Sequence, residues 1–253
     1  MARRVTPHPP HQPPQIFSLE RQHAAFNRAV RRQQSRGAAR FLFEDMREEV
    51  KERLSFMNFQ PENVLVIGDP TGLLTQVAEG MPAARQQPVT VGVGEEPVDL
   101  ILHATSLAMI NDLPGALLHL RAALKPGGLM IASIVGAGSL PKLRAAMLAA
   151  EPERPHPRIH PQIDNHTASA LLQRAGFARQ VVDSHTLTVR YLALPRLVAD
   201  LRDQAVGNVL TQMAPPLDQA AYARAEAAFI AAADADGRVS ERFEIITLTG
   251  WRS

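Results

Sequence analysis

Between Ile16 and Met57 apolar positions recur at helical spacing: Phe26, Ala29 and Val30, then Phe43, Met46, Val50 and Leu54. That period predicts two amphipathic helices, each with one buried stripe. At Val64 the pattern changes to the unbroken run ValLeuValIle, closed by Gly68. A short continuous apolar run ended by glycine reads as a strand covered on both faces, the habit of parallel sheets. Further strands are predicted at 88–93 (ProValThrValGlyVal), 98–102 (ValAspLeuIleLeu) and 129–135, with a short helix at 73–79. Asp112 is placed to cap a helix with Pro114 in its first turn and Leu117, Leu120 and Leu124 on its apolar face. LysProGlyGly (125–128) stops that helix and turns the chain into the next strand. Downstream the pattern predicts a helix over 166–175 ended by Gly176, β structure over 180–191, and helices over 195–212 and 218–233. A last strand at 243–249 follows the AspGlyArg turn.

Strand and helix alternate, which predicts an α/β protein with a Rossmann-like, doubly wound parallel sheet. One domain over 16–253 accommodates the pattern: an N-terminal helical cap (16–60), the sheet region (61–253) and a helical insertion before the final strand. The proline- and histidine-rich residues 1–15 read as a disordered tail.

Composition narrows the chemistry. Hydrophobic residues make up 45% of the chain and charged residues 21%, ordinary for a globular protein with a proper core. There are no cysteines, which excludes disulfides, thiolate catalysis and cysteine-ligated metal. Net charge is only +2, so the high pI reflects arginine in place of lysine rather than a strong field. No apolar run reaches the roughly 18 residues of a membrane span, and no aromatic-plus-basic stripe points to nucleic acid. A cytoplasmic protein acting on a small molecule or a protein partner is the resulting expectation.

The middle of the chain carries a recognisable pattern. ValAspLeuIleLeu, AsnAspLeuProGlyAlaLeu and LeuLysProGlyGlyLeu (98–129) resemble the corresponding stretch of class I S-adenosylmethionine-dependent methyltransferases. The flanks narrow the resemblance to the branch holding the carrier-protein methyltransferase of biotin synthesis and the complex I assembly factor of the same fold. These flanks are PheAsnArgAlaValArgArg (26–32), PheLeuPheGluAsp (41–45), LeuLeuGlnArgAlaGlyPhe (171–177), ThrValArgTyr (188–191), AspLeuArg (200–202) and IleIleThrLeuThrGlyTrp (245–251). The resemblance implies S-adenosylmethionine as cofactor and methyl transfer to a small acid, a carrier-bound acyl group or a protein side chain. For the assembly factor it implies arginine modification instead. A re-purposed, non-catalytic binding or assembly role is therefore the alternative expectation.

The cofactor motif departs from that family. Gly68 and Gly72 stand at the outer glycine positions of the first turn, but Val66 replaces the usual acid and Pro70 the middle glycine. Proline fixes φ and has no N–H to donate. Gly94 stands where the second strand normally ends in a ribose-binding carboxylate, with Glu95 one residue late. The chain then reaches the strand at 98 too soon for a βα crossover, so either a tight hairpin forms or one βα unit has been lost. The family's aromatic and histidine near the fourth strand are here Ala108 and Met109. Gly68, Asp69, Gly72, Glu95 and His103 are the candidate cofactor contacts, and weak or lost binding is expected. Asn111, Arg158, Arg190 and Arg202 are the candidate substrate or partner contacts. For the three arginines, internal pairing with Asp164, Asp183 and Asp200 is the plainer alternative.

Other polar residues suggest less. The run Arg28, Arg31, Arg32, Arg36 and Arg40 could hold a phosphate, though a solvated helix face explains it as well. His156, His160 and His166 near Asp164 form a loose cluster in a proline-rich loop, without metal-ligand spacing. No catalytic residue can be named from spacing alone.

Overall fold

The computed structural model describes residues 14–77, 83–87 and 96–253. Two helices open it, α1 (Leu19–Arg32) and α2 (Phe41–Phe56). They are followed by β1 (Asn63–Ile67), α3 (Leu73–Val77), β2 (Ala83–Gln87), β3 (Val98–His103), a 3-10 turn (Thr105–Met109) and α4 (Leu113–Ala123). Then come β4 (Leu124–Val135), α5 (Pro141–Ala150), α6 (Asn165–Ala175), β5 (Ala178–Tyr191), α7 (Leu194–Asp203), α8 (Gln219–Ile230) and β6 (Val239–Trp251). The strand order is β2-β1-β3-β4-β6-β5. β1 to β4 run parallel, and β6 is antiparallel to both β4 and β5.

Alternation of side chains across the sheet explains the unbroken apolar strands. Val64, Val66, Leu100, Leu102, Leu129 and Ile131 face one core shared with α2, α5, α7 and α8. Their neighbours Leu65, Ile67, Ile101, Met130 and Ala132 face a second core closed by α4 and α6. A strand covered on both faces has no polar side to show. The expected last strand at 243–249 lies within β6, and Asp112 caps α4 by accepting from the Gly115 N–H.

The structure refines the expectations at three points. The strand beside β1 is Ala83–Gln87, paired residue for residue from Asn63↔Ala83 to Ile67↔Gln87, whereas the expected strand at 88–93 lies outside the described residues. β3 pairs with β1 on one side and with β4 on the other, so of the two alternatives the tight hairpin onto β3 does not form. The helix expected over 195–212 stops at Asp203, because Ala205 takes a left-handed backbone (φ 57°) and the chain turns away.

Candidate functional site: a closed turn beside an arginine-lined cleft

In an open α/β sheet, ligands bind beyond the carboxyl ends of the strands where the winding reverses. Here that point lies between β1 and β3, since the chain leaves β1 toward β2 on one side and returns to β3 on the other. Gly68, Asp69 and Gly72 follow β1, and His103 ends β3 opposite Ile67.

The turn after β1 is satisfied from within. Asp69 is fully buried. One of its carboxylate oxygens accepts from the Thr71 N–H (2.8 Å), the Thr71 hydroxyl (2.6 Å) and the Gly72 N–H (3.0 Å). The other accepts from the Leu74 N–H (2.8 Å). Gly68 donates its N–H to the Gln87 carbonyl, the Thr71 hydroxyl accepts from the Leu73 N–H, and Pro70 has no N–H to offer. Gly68 has φ +78°, and a β-carbon built there would overlap the hydroxyl of Ser106, which roofs the turn from the 3-10 segment. Above Gly72 a β-carbon would meet nothing within 4 Å.

This donor set fits S-adenosylmethionine poorly. The backbone groups that would face its methionine end are spent on Asp69, and the space over the first glycine is filled by Ser106. The carboxyl end of β2 presents Gln86 and Gln87, whereas Gly94, the position matched in the sequence to the ribose-binding carboxylate, lies outside the described residues; Gln86 donates its side-chain amide to the Asp69 carbonyl. Glu95 lies outside the described residues. His103 is 1% exposed and sits with Nδ1 2.9 Å from the Ala104 carbonyl, leaving Nε2 without a partner. Burial drives its pKa down to about 4, so the ring is neutral near pH 7.

A cleft of about 680 Å³ runs between α1, α7 and the 205–214 segment. Arg21, Arg28, Arg32, Arg158 and Arg202 line it over an apolar floor that includes Leu143, Met147, Ile159 and Leu201. Arg158 makes a two-pronged pair with Glu151 (2.8 and 2.7 Å), and that guanidinium holds the Glu151 carboxyl down at about 2. Arg21 reaches the carbonyls of Leu210 and Asn208, and Arg32 binds Asp203. A small inner chamber opens off the same walls toward Thr105, Met109, Val135 and His160, at the carboxyl ends of β3 and β4. His160 places Nε2 3.3 Å from the Gly207 carbonyl and leaves Nδ1 buried without a partner; burial lowers its pKa.

The structure thus brings Arg158 and Arg202 together and leaves the other two candidates elsewhere. Arg190 binds Asp236 beside the turn before β6. Asn111 holds both the N–H and the carbonyl of Phe17, anchoring the chain as it enters α1. The carboxylates proposed as internal partners are engaged otherwise: Asp164 caps α6, Asp183 binds Arg53, and Asp200 binds Arg196. Sequence reasoning missed Ser106 and Arg21, whose roles depend on contacts with residues far along the chain. Among the described residues no group of three or more His, Asp or Glu gathers at a metal-binding distance, and no helix is long and apolar enough to cross a membrane.

The chain is 32% identical over 162 residues to the mitochondrial arginine-hydroxylase NDUFAF5 of Danio rerio, covering 62% of this chain and 50% of that protein. It is 30% identical over 163 residues to the malonyl-[acyl-carrier protein] O-methyltransferase of Xylella fastidiosa, 64% of this chain and 54% of that one. The corresponding Gallionella capsiferriformans enzyme is 27% identical over 237 residues, 79% and 80% of the two chains. The chain spans about half the length of the first curated relatives it matches. Among solved structures, a Bacillus halodurans protein described as a candidate methyltransferase superposes with a TM-score of 0.50 at 11% identity, covering 79% of this chain and 97% of that one, which speaks to fold alone. No family model matches the sequence.

Proposed function

We propose that this chain, a member of the class I S-adenosylmethionine-dependent methyltransferase superfamily, holds its cofactor weakly and serves chiefly as a binding or assembly protein. The observation that carries this reading is the buried Asp69 carboxylate, which takes the N–H groups of Thr71, Gly72 and Leu74. A missing charge-assisted ribose contact costs roughly 1.5–3 kcal/mol and a missing backbone donor about 1 more. At about 1.4 kcal/mol per decade, affinity falls roughly 50- to 1,000-fold below that of an intact family member.

A second reading keeps methyl transfer to a small acid, a carrier-bound acyl group or a protein side chain. The open space above Gly72 and the relatives named as O-methyltransferases favour it. Calorimetric titration of S-adenosylmethionine into the purified protein separates the two. Heat that is absent or saturates only in the millimolar range supports the first; micromolar affinity overturns it.

A further inference from the structure

We propose that the arginine-lined cleft binds an amphiphilic oxyanion, an aliphatic body carrying a phosphate or carboxylate head. The proposal does not depend on cofactor binding. A volume of about 680 Å³ falls in the range of organic-ligand pockets. Among the described residues five guanidiniums line this cleft and no carboxylate does. They come from three places in the chain, α1, the 151–164 segment and α7, so the convergence belongs to the fold and not to one charged helix face.

The arginines divide into two sets. Arg21, Arg32 and Arg158 are committed to carbonyls, Asp203 and Glu151, and hold the walls together. The side chains of Arg28 and Arg202 have no hydrogen-bond or ion-pair partner among the described residues, and both are exposed at the rim. Two uncommitted planar forks lining one cleft are suited to a tetrahedral or planar oxyanion, which each can grip through two N–H groups.

The floor gives the rest of the ligand. Leu143, Met147, Ile159, Val198 and Leu201 offer apolar surface below the rim. The inner chamber shares Leu143, Arg158, Ile159 and Leu201 with these walls and adds Met109, Val135 and Leu140. An aliphatic body lying along this floor removes apolar area from water on both sides, while its head stays at the charged mouth. A bare anion would leave the floor wet, and a neutral chain would leave Arg28 and Arg202 unanswered.

The test uses the full chain without S-adenosylmethionine, so its outcome is separate from that of the cofactor titration. Decyl phosphate and decanoate are titrated calorimetrically below their micellar concentrations, alongside inorganic phosphate and decanol. Saturable one-site binding of at least one amphiphile is expected, with inorganic phosphate and decanol each at least about 10-fold weaker. Arg28→Ala and Arg202→Ala should each weaken the amphiphile roughly 10-fold or more, the scale of a lost charge-assisted bond, without lowering the melting temperature. Equal affinity in the wild type and the double variant would overturn the proposal. So would inorganic phosphate binding as tightly as decyl phosphate, or the absence of saturable binding by either amphiphile.

Discussion

Replacing Gly68 with alanine measures how completely the turn is closed. The residue has φ +78°, where an L side chain costs about 1–2 kcal/mol. Its new methyl would also overlap the Ser106 hydroxyl and lie 3.3 Å from the Ser106 Cβ, adding an overpacking cost of roughly 1–3 kcal/mol. The sum centres near 3 kcal/mol, which in a chain of this size lowers the melting temperature by roughly 6–12 °C. Ser106→Ala alone should be neutral or mildly stabilising, because its hydroxyl is buried with no partner. Combined with Gly68→Ala, it removes the overlapping oxygen but leaves the backbone cost, so the two changes should couple favourably by about 1–2 kcal/mol. Urea unfolding of the four proteins, compared at equal m-values, reads that coupling directly. If Gly68→Ala melts within a degree of the wild type, or if Ser106→Ala fails to lessen its cost, the turn is open and the argument against a well-fitting cofactor loses its steric half.

Two further outcomes follow from buried groups. Asp69→Ala strands the N–H groups of Thr71, Gly72 and Leu74 and should cost about 3 kcal/mol, seen as a melting shift of several degrees; an unchanged melt would show that water replaces the carboxylate without penalty. His103 is held neutral down to about pH 4, whereas in the unfolded chain it titrates near 6.5, so between those values the unfolded state binds more protons. Stability should therefore be full above pH 6.5 and fall by up to about 3 kcal/mol as pH drops toward 4, and His103→Gln should flatten that part of the melting profile. A variant with an unchanged slope would place the lost stability on other groups.

Legibility in the sequence followed the physics of burial. β1, β3 and β4 are covered on both faces, so their apolar runs announced them. β2 is an edge strand with sequence AlaAlaArgGlnGln, and its hydrogen bonds to β1 define it where its composition does not. α5 was not anticipated, because its N-terminus carries no local cap. Glu241 reaches across from β6 and accepts the N–H groups of Lys142 and Leu143, a partner about a hundred residues away. Arg158 and Arg202 could be picked as candidates by resemblance, but only the packing of α1 against α7 shows that Arg28 joins them. Arg190 falls outside that group because β5 carries it to the turn before β6, where Asp236 takes it.

The turn after β1 can change its donor set while the sheet stays intact. The N–H groups of a glycine-rich turn require acceptors, and a ligand can supply them only while it is bound. In this chain Asp69 supplies them permanently from inside the turn, and Gln86 ties the Asp69 carbonyl to β2. The register of β1 with β2 and β3 ends at Ile67 and the last backbone bond to β2 is the Gly68 N–H, so the sheet's pairing does not pass through residues 69–74. Changes such as Pro70 therefore act on the donor set without disturbing the register. The cleft depends on other parts: α1 is tied down by Arg21 on the 208–210 carbonyls and by Arg32 on Asp203, and neither contact touches the turn. With the two sites held by separate sets of contacts, selection can relax on one and persist on the other. That separation predicts that Asp69→Ala, at temperatures where it remains folded, leaves amphiphile affinity in the cleft unchanged; a parallel loss of binding would show that turn and cleft are a single cooperative site.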